Sequence, residues 1–569
     1  MTAGRAAALV HALEGARDDY GGDAAARKRR LVAAAARARM RTARQVTRLH
    51  EVLCFLRAYP DDAALLAGVE AALTAFATRP DLRRFRRALA GTGIAGTDLH
   101  DRFFWFTALW LVERWPERVV IDWREFSNQA DLEPLLRLLV PAAEAAALDD
   151  VTLSPRRWIE RWRAPHETDA SFLVRRFAAL HADAFTIELL FERLDPPLVV
   201  RGDERYARGV GAAPSRTLAH ATGLAVAFRH RPFERTRPDL RRESRQPPVA
   251  VRAMPERRAI EILDLARAAM VTRDRDLDSF EHADLRDFRL VDCGGGLQFA
   301  CIGLVPERRA LLDAIYGYLT LQNGVPTGYV LTSALFESAF VAYNVFETFR
   351  RAAAAATYAR VLAMVRHLFG ATTFAIDPYQ LGHHNAEGQA SGAWWFYFKL
   401  GFRPQDAAVR RRVRDELRWL RADPRRRSSR ATLHALAAAP LFLHAERPRA
   451  DVLGRISLAN VSLHVSRALA AGGADREATI DAAVAQAARM LGARAPRPDG
   501  GGRRLAWERW APLVLLLPGV ARWPPASRAA LARVVDAKGA RRESDFVHLF
   551  DAHARLRQAV LQLARRPPR

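Results

Sequence analysis

The sequence predicts an α+β protein in which a central mixed β-sheet with flanking helices is set between two largely α-helical regions. Three observations carry this. Between positions 315 and 346 aliphatic and aromatic residues alternate with period two, interrupted by Asn323-Gly324, a strong short-range hairpin signal. Tyr358, Val361, Leu362, Val365, Leu368 and Phe369 then recur at spacings of three and four, the apolar stripe of an amphipathic helix. On both sides of this centre alanine, leucine and arginine dominate with helical spacing and no regular repeat.

Residues 1–228 read as an α-helical region, all-α to about residue 150, with Leu65, Leu66, Val69, Ala72, Leu73 and Phe76 forming one helical stripe. Phe103-Phe104-Trp105-Phe106, continuing to Trp110 and Trp115, is apolar almost all round, the pattern of a buried helix. Leu198-Val199-Val200, after Pro196-Pro197, reads as a short strand. Four prolines among many arginines mark 229–254 as a basic linker. The central domain, 255–406, opens with a helix carrying Ile260, Leu263, Ala266 and Met270 on one face. Two strands follow around Cys293-Gly294-Gly295-Gly296, which reads as a hairpin turn because no Gly-Lys-Ser/Thr succeeds it. Strands at 315–321, 328–335 and 339–346 come next, then the helix from 355 that Gly370 stops. A strand at 372–376 is broken by Asp377-Pro378, and a polar loop at 381–389 leads into a helix at 390–400 ended by Gly401. Residues 407–569 return to helix, starting with the stripe Val409, Val413, Leu417 and Leu420 and the basic run at 425–430.

The order strands, loop, helix, strand, helix, closed by Tyr397-Phe398-Lys399-Leu400-Gly401-Phe402, resembles the GNAT superfamily of acyl-CoA-dependent N-acetyltransferases over about 282–406. That family's pyrophosphate loop has the form Val-x-Pro-x-x-Arg-x-x-Gly-x-Gly/Ala. Val345, Arg350 and Ala355 stand at three of its places, while Glu347 replaces the proline and Ala353 the first glycine. Glycine at that place lets backbone approach the phosphates without a Cβ, and alanine is its mildest replacement. The family's asparagine seven residues before the helix tyrosine is Ala390 here, and the nearest asparagine is Asn385.

The resemblance implies acetyl-CoA or another acyl-CoA as co-substrate and an amine, on a small molecule or a protein, as acceptor. Asn344, Val345 and Phe346 would flank the pantetheine arm, with a backbone N–H near Asn344 or Val345 polarising the thioester carbonyl. The turn Arg350-Arg351-Ala352-Ala353-Ala354-Ala355 at a helix start offers backbone N–H groups and two guanidinium groups to the pyrophosphate. Tyr397 takes the place of the tyrosine that protonates the departing thiolate; read from its neighbours alone it is a packed aromatic. For the general base Glu347 leads because it follows the binding strand directly, with Asp377, His383 and His384 as the other choices. The rival reading is a non-catalytic module of the same fold whose basic helical arms bind nucleic acid or a protein.

Composition narrows the setting. There are 88 Lys+Arg against 63 Asp+Glu, a net charge of +25, with lysine only at Lys28, Lys399 and Lys538. Arginine in such excess follows from GC-rich codons or from a phosphate-binding surface, but no nucleic-acid motif accompanies it and the arginine runs lack interleaved aromatics for base stacking. Three cysteines without Cys-x-x-Cys spacing exclude a disulfide framework and leave no metal motif. With no apolar run of membrane-spanning length and Arg5, Glu14 and Arg17 near the start, a cytoplasmic protein is expected.

Overall fold

The computed structural model describes residues 3–202, 212–234, 236–275, 277–350, 353–423 and 425–567. The chain forms two units, one of Met1–Phe233 with Ile260–Glu281 and Leu321–Thr327, the other of Glu234–Ala259, His282–Thr320 and Gly328–Arg569.

In the first unit, side-chain caps decide where helices begin. Thr42 accepts from the Gln45 N–H at 3.2 Å and starts Ala43–Ala58, and Asp62 accepts from the Leu65 N–H at 2.7 Å and starts Ala63–Thr74. Leu65, Val69, Leu73 and Phe76 of the expected stripe are buried with Val46, Leu49 and Leu53. Phe103, Trp105 and Trp110 are core as their pattern suggests, packed in one cluster with Phe172, Phe177 and Phe191, while Phe104 turns outward. The region is not all-α. Leu198–Val200 is the middle strand of a three-stranded antiparallel sheet between Leu99–Asp101 and Val119–Ile121. The strand expected at Leu198–Val200 is there, while its two partners, three residues each, are too short for a period-two pattern to register.

The second unit is built on a nine-stranded mixed sheet flanked by helices. Its strands are β1 (Ala250–Ala253), β2 (Ala283–Asp292), β3 (Leu297–Leu304), β4 (Ala314–Gln322), β5 (Val325–Leu335), β6 (Ser338–Val345), β7 (Thr373–Ile376), β8 (Arg403–Pro404) and β9 (Leu441–His444). Their spatial order is β8-β9-β7-β6-β5-β4-β3-β2-β1. β6 and β7 run parallel, joined by helix α1 (Ala354–Phe369), and the other described pairings are antiparallel. All six stripe residues of α1 are buried, and Gly370 ends it in the left-handed region at φ 68°. The hairpin turn has Asn323 at φ 49° and Gly324 at φ 77°, the two positive values that a type I′ turn needs. Gly294, Gly295 and Gly296 all have positive φ, as a glycine-built turn between β2 and β3 requires.

Three expectations change here. The segment 229–254 is more than a linker: it contributes Leu240 to the core and the edge strand β1 to the sheet. The position 406 is no boundary, because β9 lies between β7 and β8 and one continuous core runs from Leu240 to Ala564. The helix expected at 390–400 is two, α2 (Ala386–Ser391) and α3 (Ala393–Lys399), separated by Gly392 at φ 69°. A later helix, α4 (Arg430–Leu436), starts at its Ser429 cap.

Part of the arginine excess is interior. Arg309 is 4% exposed and donates to the carbonyls of Leu304 at 3.0 Å, Lys538 at 2.8 Å and Ala540 at 2.6 Å. This guanidinium, also 3.7 Å from the Asp284 carboxylate, is satisfied within the fold and is not presented to an outside partner. Among the described residues no helix is long and apolar enough to cross a membrane.

The turn from β5 to β6 is unusual in placing two non-glycine residues, Phe336 at φ 58° and Glu337 at φ 49°, in the left-handed region. It is held from the far end of the chain. Asp551 accepts from the Glu337 N–H at 2.8 Å, Arg449 and Arg557 pair with the Glu337 carboxylate, and the Phe336 ring meets Phe550 edge-on at 5.1 Å. Burial pushes the Asp551 carboxyl up to about 7, although that hydrogen bond and the Arg557 charge pull the other way. The folded state therefore holds this proton more tightly than the unfolded chain. Its contribution to stability is full below the ordinary carboxylate pKa of about 4 and is lost as pH rises through about 7. Asp551→Asn should flatten the fall in urea-unfolding midpoint between about pH 5 and 8 and raise the midpoint at the upper end. An unchanged slope would contradict the assignment.

Candidate functional site

The parallel pair is matched over only three residues, Ser338–Phe340 against Thr373–Ala375. On its other side β6 pairs with β5 along its whole length, from Leu335↔Ser338 to Gly328↔Val345. Past Phe340, then, β6 runs on with one neighbour, and a cavity of about 240 Å³ lies beside Tyr343, Asn344 and Val345. Arg350 and Ala354 bound it where the chain enters α1, Gln380, Asn385, Glu387 and Ser391 come from the segment after β7, and Ala393, Phe396 and Tyr397 from α3.

Strand alternation decides which main-chain groups face this opening. The Arg350 guanidinium donates to the Val345 carbonyl at 3.3 Å, and the Tyr397 hydroxyl is hydrogen-bonded to the Tyr343 backbone. Tyr343 and Val345 thus turn their polar groups to the open side. The main chain of Asn344 turns the opposite way, into the ladder with Tyr329, where Gly328 lies so close that a Cβ would be 2.2 Å from the Asn344 oxygen. Of Asn344 and Val345, only Val345 turns its main-chain groups to the cavity.

Tyr397 is buried at 3% exposure, in edge-to-face contact with Tyr358 at 5.4 Å and Phe402 at 5.7 Å. Burial drives its phenol well above the ordinary range, with the backbone hydrogen bond from Tyr343 opposing. The oxygen accepts there, which leaves the O–H proton to donate. Next to it the Tyr358 hydroxyl is fully buried without a hydrogen-bond partner among the described residues, and its ring packs on Tyr343 at 5.3 Å. Such an unsatisfied hydroxyl costs about 1–3 kcal/mol.

The other end of the cavity is suited to an anion. Among the described residues no side chain caps α1 and its first turn carries no acidic residue, which leaves its first N–H groups and the positive end of the helix dipole toward an anion. Arg350 stands beside them, half-exposed, in an ion pair at 2.7 Å with Glu387 from α2. Ala353 precedes the helix at φ 6°, and Ala354 lines the cavity while Ala355 packs against the core. Arg351 and Ala352 lie outside the described residues.

Four expected residues are therefore gathered around one cavity besides Asn344: Val345, Arg350, Ala354 and Tyr397. Phe346 is buried against Tyr329 with its ring 6.2 Å away, and serves packing. Glu347 begins a short 3₁₀ turn on the surface and does not line the cavity; the chain turns away directly after β6. The carboxylate that does line it, Glu387, was not foreseen, nor were Gln380, Ser391 and Tyr343. Tyr343 had a signal, since it shares a strand side with Val345. Asn385 is present as the cap of α2, accepting from the Gly388 N–H at 3.0 Å.

A larger cavity, about 550 Å³, is bounded by Leu469, Ala482, Pro512 and Leu515. Its one carboxylate, Asp475, is engaged in capping the helix Arg476–Leu491. The Thr479 hydroxyl, also on its wall, donates to the Asp475 carbonyl at 2.8 Å. Comparisons with protein-family models, with curated proteins and with solved structures found no match to this chain.

Proposed function

We propose that the second unit is a GNAT-like acyl-CoA-dependent N-acyltransferase, transferring an acetyl or other acyl group to an amine. The observation that carries this reading is the cavity where β6 outruns β7, with Val345 main chain, Tyr397 hydroxyl and the uncapped α1 terminus around it. About 240 Å³ suits the pantetheine arm and the acyl group, with the nucleotide left on the surface beside Arg350.

In this reading the Val345 N–H polarises the thioester carbonyl, and the buried donors act in a medium that strengthens them. The acceptor nitrogen bonds to the carbonyl carbon as the carbon–sulfur bond breaks. Tyr397 gives its proton to the departing thiolate, and the nitrogen loses a proton to water or a base. The pyrophosphate takes the place of Glu387 on Arg350 and meets the N–H groups at the helix start.

The test separates phosphate contacts from the rest of the ligand. Arg350→Ala should weaken binding of coenzyme A by about tenfold or more while leaving pantetheine, which has no pyrophosphate, within about twofold. Equal losses for both ligands would show damage to the fold, and no loss for either would remove the pyrophosphate from this turn.

A further inference from the structure

We propose that His383, His384 and His434 bind one divalent transition-metal ion, with zinc the best fit, on the segment that walls the cavity. Each ring offers one nitrogen, and the three lie within 4.8 Å of one another. In a tetrahedral zinc site with Zn–N bonds of about 2.0–2.1 Å the nitrogens stand about 3.3 Å apart, so the rings need to close by up to about 1.5 Å. Three neutral imidazoles without a thiolate or carboxylate make the ligand set of an open zinc site, in which a water takes the fourth position. The exposure of His384 leaves that position on the solvent side.

Two observations besides proximity point to an ion. The Nδ1 atom of His383 is buried and has no hydrogen-bond partner among the described residues, an arrangement that folded proteins rarely leave uncompensated. His384 sits in the left-handed region at φ 54°, a conformation that costs a non-glycine residue free energy and turns its ring toward His383 and His434, at centroid distances of 4.2 and 5.1 Å. The His383 and His434 rings stack at 4.5 Å and 26°, so one ring must turn for both in-plane lone pairs to meet at the ion.

The surrounding fold holds both halves of the site. The turn carrying His383 and His384 is tied by the His383 N–H to the Pro378 carbonyl at 2.9 Å, by Gln389 to the Gly382 carbonyl at 2.7 Å and by Asn385 to the Tyr379 carbonyl at 3.1 Å. His434 lies on α4, which the Trp394 indole anchors through the Leu436 carbonyl at 3.0 Å. A bound ion would therefore cross-link α4 to the segment that supplies Gln380, Asn385 and Glu387 to the cavity, whatever reaction the cavity serves. Only the His383-His384 pair is visible as a neighbourhood in the sequence, because His434 is fifty residues away along the chain.

The experiment is a zinc titration of chelator-treated, untagged full-length protein in competition with a chromogenic chelator, repeated with cobalt(II) followed by its visible absorption. One zinc per chain is expected, together with a rise in melting temperature and a tetrahedral cobalt spectrum. His434→Ala, and His384→Asn, which tolerates the left-handed backbone, should each weaken zinc on the order of 100-fold while circular dichroism stays unchanged. If His434→Ala fails to fold, His384→Asn decides. Failure of the parent to compete with the chelator, or variants that bind as the parent does, would overturn the proposal. Neither readout needs acyl transfer, so the two proposals fail separately.

Discussion

Replacing Tyr397 with phenylalanine is expected to lower turnover by about 100-fold or more, with acyl-CoA affinity close to that of the parent protein. The substitution removes one oxygen and keeps the ring contacts to Tyr358 and Phe402. It forfeits the hydrogen bond from the Tyr343 backbone, worth about 1 kcal/mol, so the melting temperature should fall by only a few degrees. Burial keeps the phenol protonated throughout the neutral range, which makes it an acid with no limb of its own in a neutral pH profile. Until an acceptor amine is known, release of free thiol from acetyl-CoA serves as the assay. Unchanged release in a folded variant would return Tyr397 to a packing role.

Gly328→Ala should destabilise the second unit by about 3 kcal/mol and abolish acyl-CoA binding. A Cβ at this position would lie 2.2 Å from the Asn344 oxygen and 3.2 Å from the Val345 Cα. Both are backbone atoms of the paired strand, so no side chain can swing aside. β5 and β6 would have to part at the end where Val345 faces the cavity. Gly68→Ala is the control: it lies in the helix Ala63–Thr74, its nearest neighbour is Val32 Cγ1 at 4.0 Å, and the change should stabilise by about 0.5–1 kcal/mol. Urea unfolding checks both, and an unshifted midpoint in Gly328→Ala would contradict the register described for β5 and β6.

What could be read from the sequence was local. Asn323-Gly324 announces its turn because those two residue types tolerate the backbone angles the turn demands. The stripe from Tyr358 to Phe369 and the stop at Gly370 locate α1 because burial on one side imposes the 3.6-residue period. The turn at Phe336-Glu337 was not legible in this way. Neither residue favours it, and the groups that hold it, Arg449, Asp551 and Arg557, come more than a hundred residues later. β9 was hidden for a similar reason: Leu441–His444 is a short apolar run whose partners β7 and β8 are set by tertiary pairing alone. At the candidate site, Tyr397 and Val345 could be named through a family resemblance, but the choice of Val345 over Asn344 needed the strand's register. Glu347 was preferred for its place after the strand, yet the carboxylate that reaches the cavity is Glu387, delivered by the break at Gly392 and the helix before it.

The central claim is that the cavity beside Tyr343 and Val345 holds an acyl-CoA. Isothermal titration of the full-length protein with acetyl-CoA tests it most directly. The account predicts one molecule bound per chain, and at a ligand concentration of about 100 times the dissociation constant a stabilisation of about 2.7 kcal/mol, seen as a clear rise in melting temperature. Ser391→Trp, which fills the cavity from α2, should abolish both signals while the protein remains folded. No heat and no shift with acetyl-CoA and longer acyl-CoAs, or binding that survives Ser391→Trp, would contradict the account.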